Sequence, residues 1–175
     1  MTPELVNLLI EAEKNRSKTS IDTGSLLLED AILLHNLVLQ YPIKRAVEWG
    51  TYIGRSAIAI ATAMEAGVVY TCDGKNDAFD GGYYGAEIVV FPYTSSTTMM
   101  KTLQPPIDLF FFDGFILKED VDEIKRLSHL GTLYVFDDFK AKMKGTKNVP
   151  MMKHLYETHH FIPPEEGSSV AMYLP

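Results

Sequence analysis

The sequence predicts an α/β protein in which seven strands form a doubly wound, mostly parallel sheet, with helices on both faces and an antiparallel hairpin at the C-terminal edge. Short apolar runs typical of buried strands alternate with segments whose apolar residues recur at helical spacing. Four of the predicted strands end in acidic residues. With 175 residues, 46% of them hydrophobic, the chain is long enough for one domain with a sizeable core.

The first 41 residues are predicted to form helices that cover the ligand site of the core, and the core is predicted to extend over residues 42–175. Apolar residues recur at helical spacing over 3–14 and again over 26–40. The polar stretch 15–23 separates these two helices. Tyr41-Pro42 ends the second helix, because proline cannot continue one.

The remaining elements alternate between strand and helix, as a parallel sheet with crossover helices requires. A loop rich in glycine and tyrosine follows the second strand, and Pro163, Pro164 and Gly167 separate the two strands of the closing hairpin. The predicted strands are 46–48, 68–72, 87–91, 107–112, 132–136, 161–162 and 170–174, and the predicted helices of the core are 54–66, 119–130 and 149–158.

Charge and composition limit the partners of the protein. The formal net charge of -7 argues against a nucleic-acid ligand, because phosphate binding relies on clustered Lys and Arg. No apolar run approaches membrane-spanning length, so no membrane is expected as a partner. One cysteine, Cys72, cannot form an internal disulfide, and no secretory signal pattern is recognisable. We therefore expect a cytoplasmic protein with small-molecule or protein partners.

The turn after the first strand, residues 47–57, has the pattern of a nucleotide-cofactor site. Gly50 would let a ligand approach the backbone, and Gly54 would let the next helix pack close to its strand. The spacing differs from the G-x-G-x-x-G pattern that binds dinucleotides. Glu48 would repel phosphate and suit a cationic ligand. S-adenosylmethionine fits this description, since it carries a sulfonium and an α-amino group but no phosphate.

Acidic residues stand at the ends of four strands and should meet at one edge of the sheet. In an open α/β sheet the ligand crevice lies outside the carboxyl ends of the strands. Each acid alone is about as well explained by capping the next helix or bonding loop N–H groups. Together they favour a site. They are Glu48, Asp73, Asp113, Asp137 and Asp138.

These residues carry a resemblance to a known family. The segment E-x-G-x-Y-x-G-x-S-A beginning at Glu48, Asp73, Asp113-Gly114 and Asp137-Asp138 resemble the class I S-adenosylmethionine-dependent methyltransferases. The metal-dependent O-methyltransferases of the catechol and macrocin types are the most similar. The resemblance covers the chain from about residue 20 to its end. It implies a Rossmann-like fold, methyl transfer and a possible homodimer.

The resemblance also implies which residues bind the cofactor. Asp73 would bind the ribose hydroxyls with its two oxygens, and either Ser95 or Ser96 would lie near the adenine. Ordinary hydrogen bonding in the loop is the alternative for both serines. Asp113 would contact the cofactor as well. The methionine side of the pocket would be lined by Glu48, Gly50, Thr51, Tyr52, Gly54 and Ser56.

Asp113, Asp137 and Asp138 match the family positions that hold a divalent ion, and Asp113 and Asp137 are the expected catalytic residues. Ligands that are all oxygen favour Mg²⁺ or Ca²⁺ over zinc. Consecutive strand residues point to opposite faces, so Asp137 and Asp138 can both bind an ion only if the strand has ended and the backbone turns there. Supporting the loop is the alternative role for Asp138.

The general base of the family is missing from its usual positions. The resemblance places it two or three residues after Asp113, where this chain has Phe115 and Ile116, and neither can take a proton. His159 and His160 are expected at the surface. The remaining candidates for a base are Lys118, His35, Lys140 and Lys142. For Lys118 the alternative is that it begins a solvated helix.

The sequence thus leads to a hypothesis of metal-assisted O-methylation of a small molecule. A protein that binds S-adenosylmethionine without transferring its methyl group is the main alternative, and the missing base favours it. An NAD-dependent oxidoreductase is disfavoured by the glycine spacing. Aromatic residues that could form an acceptor site, or simply cover the core, are Phe79, Tyr83, Tyr84, Phe115 and Phe139.

Overall fold

The computed structural model describes residues 3–18, 26–75, 78–139, 144–155, 157–164, 168 and 170–175. Within them, one mixed sheet runs through the molecule in the strand order β3-β4-β2-β1-β5-β6-β8-β7. The strands are β1 (Arg45–Trp49), β2 (Val68–Asp73), β3 (Gly82–Tyr83), β4 (Glu87–Pro92), β5 (Leu109–Phe112), β6 (Leu133–Phe136), β7 (His160–Ile162) and β8 (Ala171–Leu174).

The sheet confirms the predicted fold class, including the antiparallel hairpin of β7 and β8 at one edge. Strands β4, β2, β1, β5 and β6 are parallel to one another. Eight strands are described where seven were predicted. The additional one is β3, a two-residue strand in the loop rich in glycine and tyrosine, which pairs antiparallel with β4.

Helices cover both faces of the sheet. They are α1 (Pro3–Glu11), α2 (Leu28–Val38), α3 (Arg55–Ala63), α4 (Ser96–Thr102), α5 (Lys118–Leu127) and α6 (Lys144–Asn148). Two 3₁₀ segments, Ala12–Lys18 and Val149–Leu155, continue α1 and α6. None of the helices that the structure describes is long and apolar enough to cross a membrane.

Two apolar clusters, one on each face, hold the helices to the sheet. Successive residues of a strand point to opposite faces, and β5 illustrates this, because Leu109 and Phe111 belong to the cluster with α1, α2 and α3 while Phe110 and Phe112 belong to the cluster with α4 and α5. All four side chains are fully buried. Burying one such side chain contributes about 1.5–3 kcal/mol.

Two helical regions differ from the predictions. Helix α4 was not predicted, because the polar run that begins it resembles a loop. The helix predicted over 149–158 is confirmed in part, because residues 149–155 are helical but form a 3₁₀ segment that follows the α-helix Lys144–Asn148. Pro150 has no N–H and therefore ends the α-helical ladder that begins at Lys144.

The strand register brings the carboxyl ends of four strands into line. Trp49 of β1 pairs with Cys72 of β2 and with Phe112 of β5, and Phe112 pairs with Phe136 of β6. Neighbouring strands lie about 4.8 Å apart. The next residue along each strand therefore stands in one row across the edge of the sheet, in the order Asp73, Gly50, Asp113 and Asp137.

Candidate functional site

The segment from the end of β1 to the start of α3, residues 48–56, is here called the cofactor turn. Its shape depends on two glycines. Gly50 has φ +105° and Gly54 has φ +85°, conformations that favour glycine. A Cβ on Gly50 would lie 3.0 Å from the backbone oxygen of Asp113. A Cβ on Gly54 would lie 2.5 Å from the Phe79 ring. Gly54 thus makes room for the ring of Phe79. The prediction was that Gly54 lets α3 pack close to its strand, whereas the atoms nearest to it belong to Phe79.

A narrow cavity of about 10 Å³ lies beside the cofactor turn, with room for about one water molecule. Leu26, Ile53 and Arg55 line part of it. The other lining residues come from the predicted cofactor set. They are Gly50, Thr51, Tyr52, Ser56 and Asp113.

Arg55 ties the N-terminal segments to the cofactor turn. Its guanidinium donates to the backbone oxygens of Leu9, at 3.3 Å, and Leu26, at 2.8 Å, and forms an ion pair with Glu13. Asn15 adds a bond from its side-chain amide to the backbone oxygen of Ile53, at 3.1 Å. α1 and the 3₁₀ segment after it therefore lie against the turn.

Glu48 is a fully buried carboxylate with one oxygen unbonded. Thr71 donates to Oε2 at 2.5 Å, and the Thr71 hydroxyl also bonds that of Thr51 at 2.7 Å. Oε1 has no hydrogen-bond partner among the described residues. Burial raises the pKa of Glu48 to about 7, the nearby Ser56 and Thr71 hydroxyls oppose the rise, and Asp73 adds to it. An unpaired buried oxygen of this kind fits a cationic group of a ligand.

Asp73 ends β2 beside the cofactor turn and organises the loops around it. Its Oδ2 accepts from the backbone N–H of Tyr52 at 3.1 Å, and its Oδ1 accepts from that of Lys75 at 2.8 Å. Each carboxylate oxygen has a second lone pair. The side chain can therefore hold the turn in place and still accept from ligand hydroxyls.

Ser95 and Ser96, the candidates for the adenine side, are both bonded within the protein. Ser95 caps α4, accepting from the backbone N–H of Thr98 at 3.2 Å. The buried Ser96 donates to Asp120 at 3.0 Å, and Thr97 donates to the same carboxylate at 2.6 Å. Asp120 in turn accepts from the Leu117 N–H at the start of α5. Both hydroxyls thus serve α4 and its contact with α5.

Asp113, Asp137 and Asp138, here called the acid cluster, each offer an oxygen within 4.8 Å of the other two. β6 ends at Phe136, and Asp138 has the left-handed φ of +54°. The backbone therefore turns directly after β6, which is the condition for Asp137 and Asp138 to bind the same ion. Asp137 is 5% exposed, and its N–H donates to the Phe112 backbone oxygen at 3.0 Å.

A lysine that sequence reasoning missed lies within the acid cluster. Lys144, the first residue of α6, donates to the Asp113 backbone oxygen at 2.7 Å and to the Asp138 carboxylate at 3.0 Å. It also forms an ion pair with the Asp113 carboxylate. The signal in the sequence is the basic run from Lys140 to Lys147. The sequence predicted a role only for Lys140 and Lys142, which lie outside the described residues.

The acid cluster is electrostatically crowded. Burial raises the pKa of Asp113 to about 8, with Asp137 and Asp138 adding to the rise and Lys144 opposing it. Burial lowers the pKa of Lys144, but the two acids it contacts outweigh this and raise its pKa overall. Lys144 is therefore an ammonium at neutral pH and cannot accept a proton. Three carboxylates with one ammonium retain excess negative charge, and this oxygen donor set fits a hard divalent cation.

The histidines and Lys118, which the structure describes, do not approach the acid cluster. Lys118 is exposed at the start of α5. Nδ1 of His35 is bonded to Ala59 and Thr62 on the flank of α3. Nε2 of His159 is bonded to Thr132 at the opposite end of β6. His160 is exposed and begins β7.

The five aromatic residues proposed for an acceptor site do not form one cluster, although the rings of Phe79 and Tyr84 lie 6.5 Å apart between centroids. Phe79 is buried against Gly54. Tyr83 and Tyr84 line a groove formed with α1 and α2. Phe139 packs on Phe161 at 5.7 Å between ring centroids. Phe115, two residues after Asp113, remains 52% exposed beside the acid cluster.

Comparison with known proteins identifies the fold. No protein-family model and no curated protein matches the sequence. Among solved structures, the O-methyltransferase TomG from Streptomyces achromogenes, in complex with S-adenosylmethionine, is 18% identical and has a TM-score of 0.67, over 99% of this chain and 90% of that one. An O-methyltransferase from Bacillus cereus, in complex with S-adenosylhomocysteine, is 15% identical with a TM-score of 0.61, over 100% and 92%.

A third similar structure belongs to a protein with a different activity. Precorrin 8W decarboxylase from Methanobacterium thermoautotrophicum is 16% identical with a TM-score of 0.60, over 87% of this chain and 92% of that one. The chain therefore has the fold of the class I S-adenosylmethionine-dependent methyltransferases. Fold alone does not decide the reaction, which has to be argued from the site.

Proposed function

We propose that this protein is an S-adenosylmethionine-dependent O-methyltransferase that acts on a small molecule with the assistance of a divalent ion. The observation that carries the proposal is the double position of Asp113. Its side chain belongs to the acid cluster, and the residue also lines the cavity beside the cofactor turn. A cofactor in the turn and an acceptor at the acids would thus share one wall. Close positioning of two reactants is a main source of rate enhancement.

The residues of the cofactor turn have separate tasks in this proposal. The unpaired Oε1 of Glu48 would bind a cationic group of the cofactor, because it is fully buried and bonded to no described residue. Asp73 would accept from the ribose hydroxyls with the lone pairs left over from Tyr52 and Lys75. Gly50 keeps the turn close to Asp113.

The acid cluster would hold the ion through Asp113, Asp137 and Asp138, and Mg²⁺ suits these oxygen ligands. Such an ion, when bound, supplies a positive charge that binds acceptor oxygens and acidifies an acceptor hydroxyl. The acceptor oxygen would attack the methyl carbon as the carbon–sulfur bond breaks, leaving its electron pair on sulfur. The products are a methyl ether, S-adenosylhomocysteine and the proton of the hydroxyl.

No base stands ready for that proton among the described residues near the acids. Phe115 and Ile116 cannot accept one, and Lys144 is already protonated. This favours the second candidate, a protein that binds the cofactor without transferring its methyl group. If transfer occurs, we expect it to accelerate toward alkaline pH, as the acceptor hydroxyl loses its own proton.

Two measurements test the proposal. Calorimetry should detect binding of S-adenosylhomocysteine and none of NAD. Methyl-labelled cofactor, offered with a panel of small molecules that carry adjacent oxygens, should yield a labelled product with Mg²⁺ and none with EDTA. Cofactor binding with no product from any acceptor supports the second candidate. Binding of NAD alone overturns both.

A further inference from the structure

We propose that Lys144 is a built-in counter-ion of the acid cluster, and that a divalent cation must displace its ammonium in order to bind. The inference rests on the proposed function, because it concerns regulation of that same site. It implies that the cluster is closed by the protein's own cation at low ion concentration and opens to an acceptor only when the ion has replaced it.

The contacts of Lys144 place its nitrogen where an ion would bind. Nζ reaches two members of the acid cluster, Asp113 and Asp138, and the backbone oxygen of Asp113. Oxygens of Asp113, Asp137 and Asp138 lie within 4.8 Å of one another, so one cation can contact all three residues. A nitrogen already bonded to two of the three residues competes directly with that cation.

Charge counting shows why the ammonium alone does not satisfy the acids. When all three carboxyl groups are ionised, as a bound cation would favour, they carry three negative charges, and Lys144 returns one positive charge. A divalent ion together with Lys144 would balance the cluster. The Lys144 ammonium is thus a partial substitute for a divalent ion. After the ion has displaced it, the ammonium can remain close enough to balance the remaining negative charge.

The burial of Lys144 sets it apart from Lys147, the other lysine of α6. The ion pairs with Asp113 and Asp138 hold the Lys144 ammonium against the acid cluster. The Lys144 side chain is only 27% exposed, whereas Lys147, one turn further along, is exposed and lies over the Phe115 ring.

Mn²⁺ binding tests the proposal without any need for turnover. Free Mn²⁺ is measured by electron paramagnetic resonance during titration of the wild-type protein, Lys144→Met and Lys147→Met. Lys144→Met should bind Mn²⁺ about tenfold more tightly than the wild type, or better, because the competing charge is gone. Lys147→Met controls for the general loss of one positive charge nearby and should stay within about twofold. Lys144→Arg keeps the charge and should not gain affinity.

A second measurement uses the wild-type protein and does not depend on the folding of a variant. Saturating Mn²⁺ should accelerate acetylation of Lys144 by an N-hydroxysuccinimide ester, followed by mass spectrometry, because the ion releases its nitrogen from the acids. Acetylation of Lys147 should not change. The proposal is overturned if Lys144→Met binds Mn²⁺ no more tightly than the wild type, or if Mn²⁺ binds and leaves Lys144 labelling unchanged.

The same experiments separate this inference from the proposed function. If S-adenosylhomocysteine binds and methyl transfer requires Mg²⁺, but Lys144→Met gains no metal affinity, the inference alone fails. If neither the wild type nor Lys144→Met binds Mn²⁺, the acid cluster is no metal site, and both the inference and the metal part of the proposed function fail. Binding of S-adenosylhomocysteine would still stand by itself.

Discussion

The cofactor turn and the acid cluster both bury carboxylates at the same edge of the sheet, but they neutralise them differently. Among the described residues, Glu48 is hydrogen-bonded to the neutral Thr71 hydroxyl and its Oε1 has no partner, and its pKa rises to about 7. Asp113 and Asp138 share the ammonium of Lys144. Glu48 has no ion pair within the described part of the chain, although Arg55 lies in the same turn and pairs with Glu13, whereas Lys144 pairs directly with two acids of the second region.

This difference indicates where each region needs a ligand. A buried carboxylate with only neutral partners becomes ionised at neutral pH when a cation arrives beside it, so cofactor binding and ionisation of Glu48 should be coupled. Carboxylates that are already paired with a cation can bind a new cation only by exchanging the old one for it. The cofactor turn should therefore respond to pH, and the acid cluster should respond to ion concentration.

The largest expected effect is on methyl transfer in Asp137→Asn. The substitution removes a ligand charge with little change in shape, so transfer should fall about 100-fold or more, since a catalytic ion contributes several kcal/mol. Affinity for S-adenosylhomocysteine should stay within about twofold, because Asp137 does not line the cavity beside the cofactor turn. Asp113→Asn should lower both quantities. Initial rates and calorimetry measure the two effects.

Asp122→Asn, on the exposed side of α5, is the control for loss of an acid elsewhere. Full transfer activity in Asp137→Asn would remove the metal from the mechanism. A parallel loss of cofactor affinity in this variant would mean that the two regions are not separate.

Glu48→Gln should have the next largest effect, on cofactor affinity and its dependence on pH. A hydrogen bond to a charged group contributes about 1.5–3 kcal/mol, which corresponds to at least about tenfold in affinity. In the wild type, affinity should rise as pH rises through about 7, because the bound cation favours ionised Glu48. The variant should lack this rise. Calorimetry from pH 5.5 to 8.5, with exposed Glu65→Gln as the control, compares the slopes.

Glu48→Gln should also change how the free energy of unfolding depends on pH, and the raised pKa of Glu48 determines the direction of this change. The protonated carboxyl of Glu48 contributes fully to the free energy of unfolding below its ordinary pKa of 4.5. This contribution is lost as pH rises through about 7, the pKa in the folded protein. The loss amounts to about 3 kcal/mol at 1.36 kcal/mol per pH unit. Urea unfolding should therefore show Glu48→Gln gaining stability relative to the wild type as pH rises. A difference that is constant with pH would contradict the assigned burial cost.

The smallest effects are expected for Ser95→Ala and Ser96→Ala. Loss of the α4 cap, or of the bond to Asp120, should lower the free energy of unfolding by about 1 kcal/mol. Affinity for S-adenosylhomocysteine should not change, because both hydroxyls are engaged within the protein. Weaker binding with an unchanged melting temperature would instead place that serine at the adenine.

Local patterns in the sequence were sufficient for much of the architecture. Alternation of apolar runs and helical spacing predicted the parallel strands and the C-terminal hairpin, because each strand must bury residues on both faces. The pattern failed at α4 and succeeded only in part at residues 149–158, where polar starts and Pro150 make local preference a poor guide. The strand β3 has only two residues and depends on β4, so it leaves almost no signal in the sequence.

The sequence by itself placed Asp73, Asp113 and Asp137 at the carboxyl edge, because an acid at the end of a parallel strand stands there. Glu48 is the exception, since β1 continues to Trp49 and Gly50 takes the edge position. Only the tertiary structure decided what surrounds each one. The bond of Ser96 to Asp120 joins residues 24 positions apart, and that of Lys144 to Asp113 joins residues 31 positions apart. Oε1 of Glu48 is buried without a hydrogen-bond partner among the described residues. The spacing of residues along the chain does not give the distance between such groups, because the packing of separate elements sets that distance.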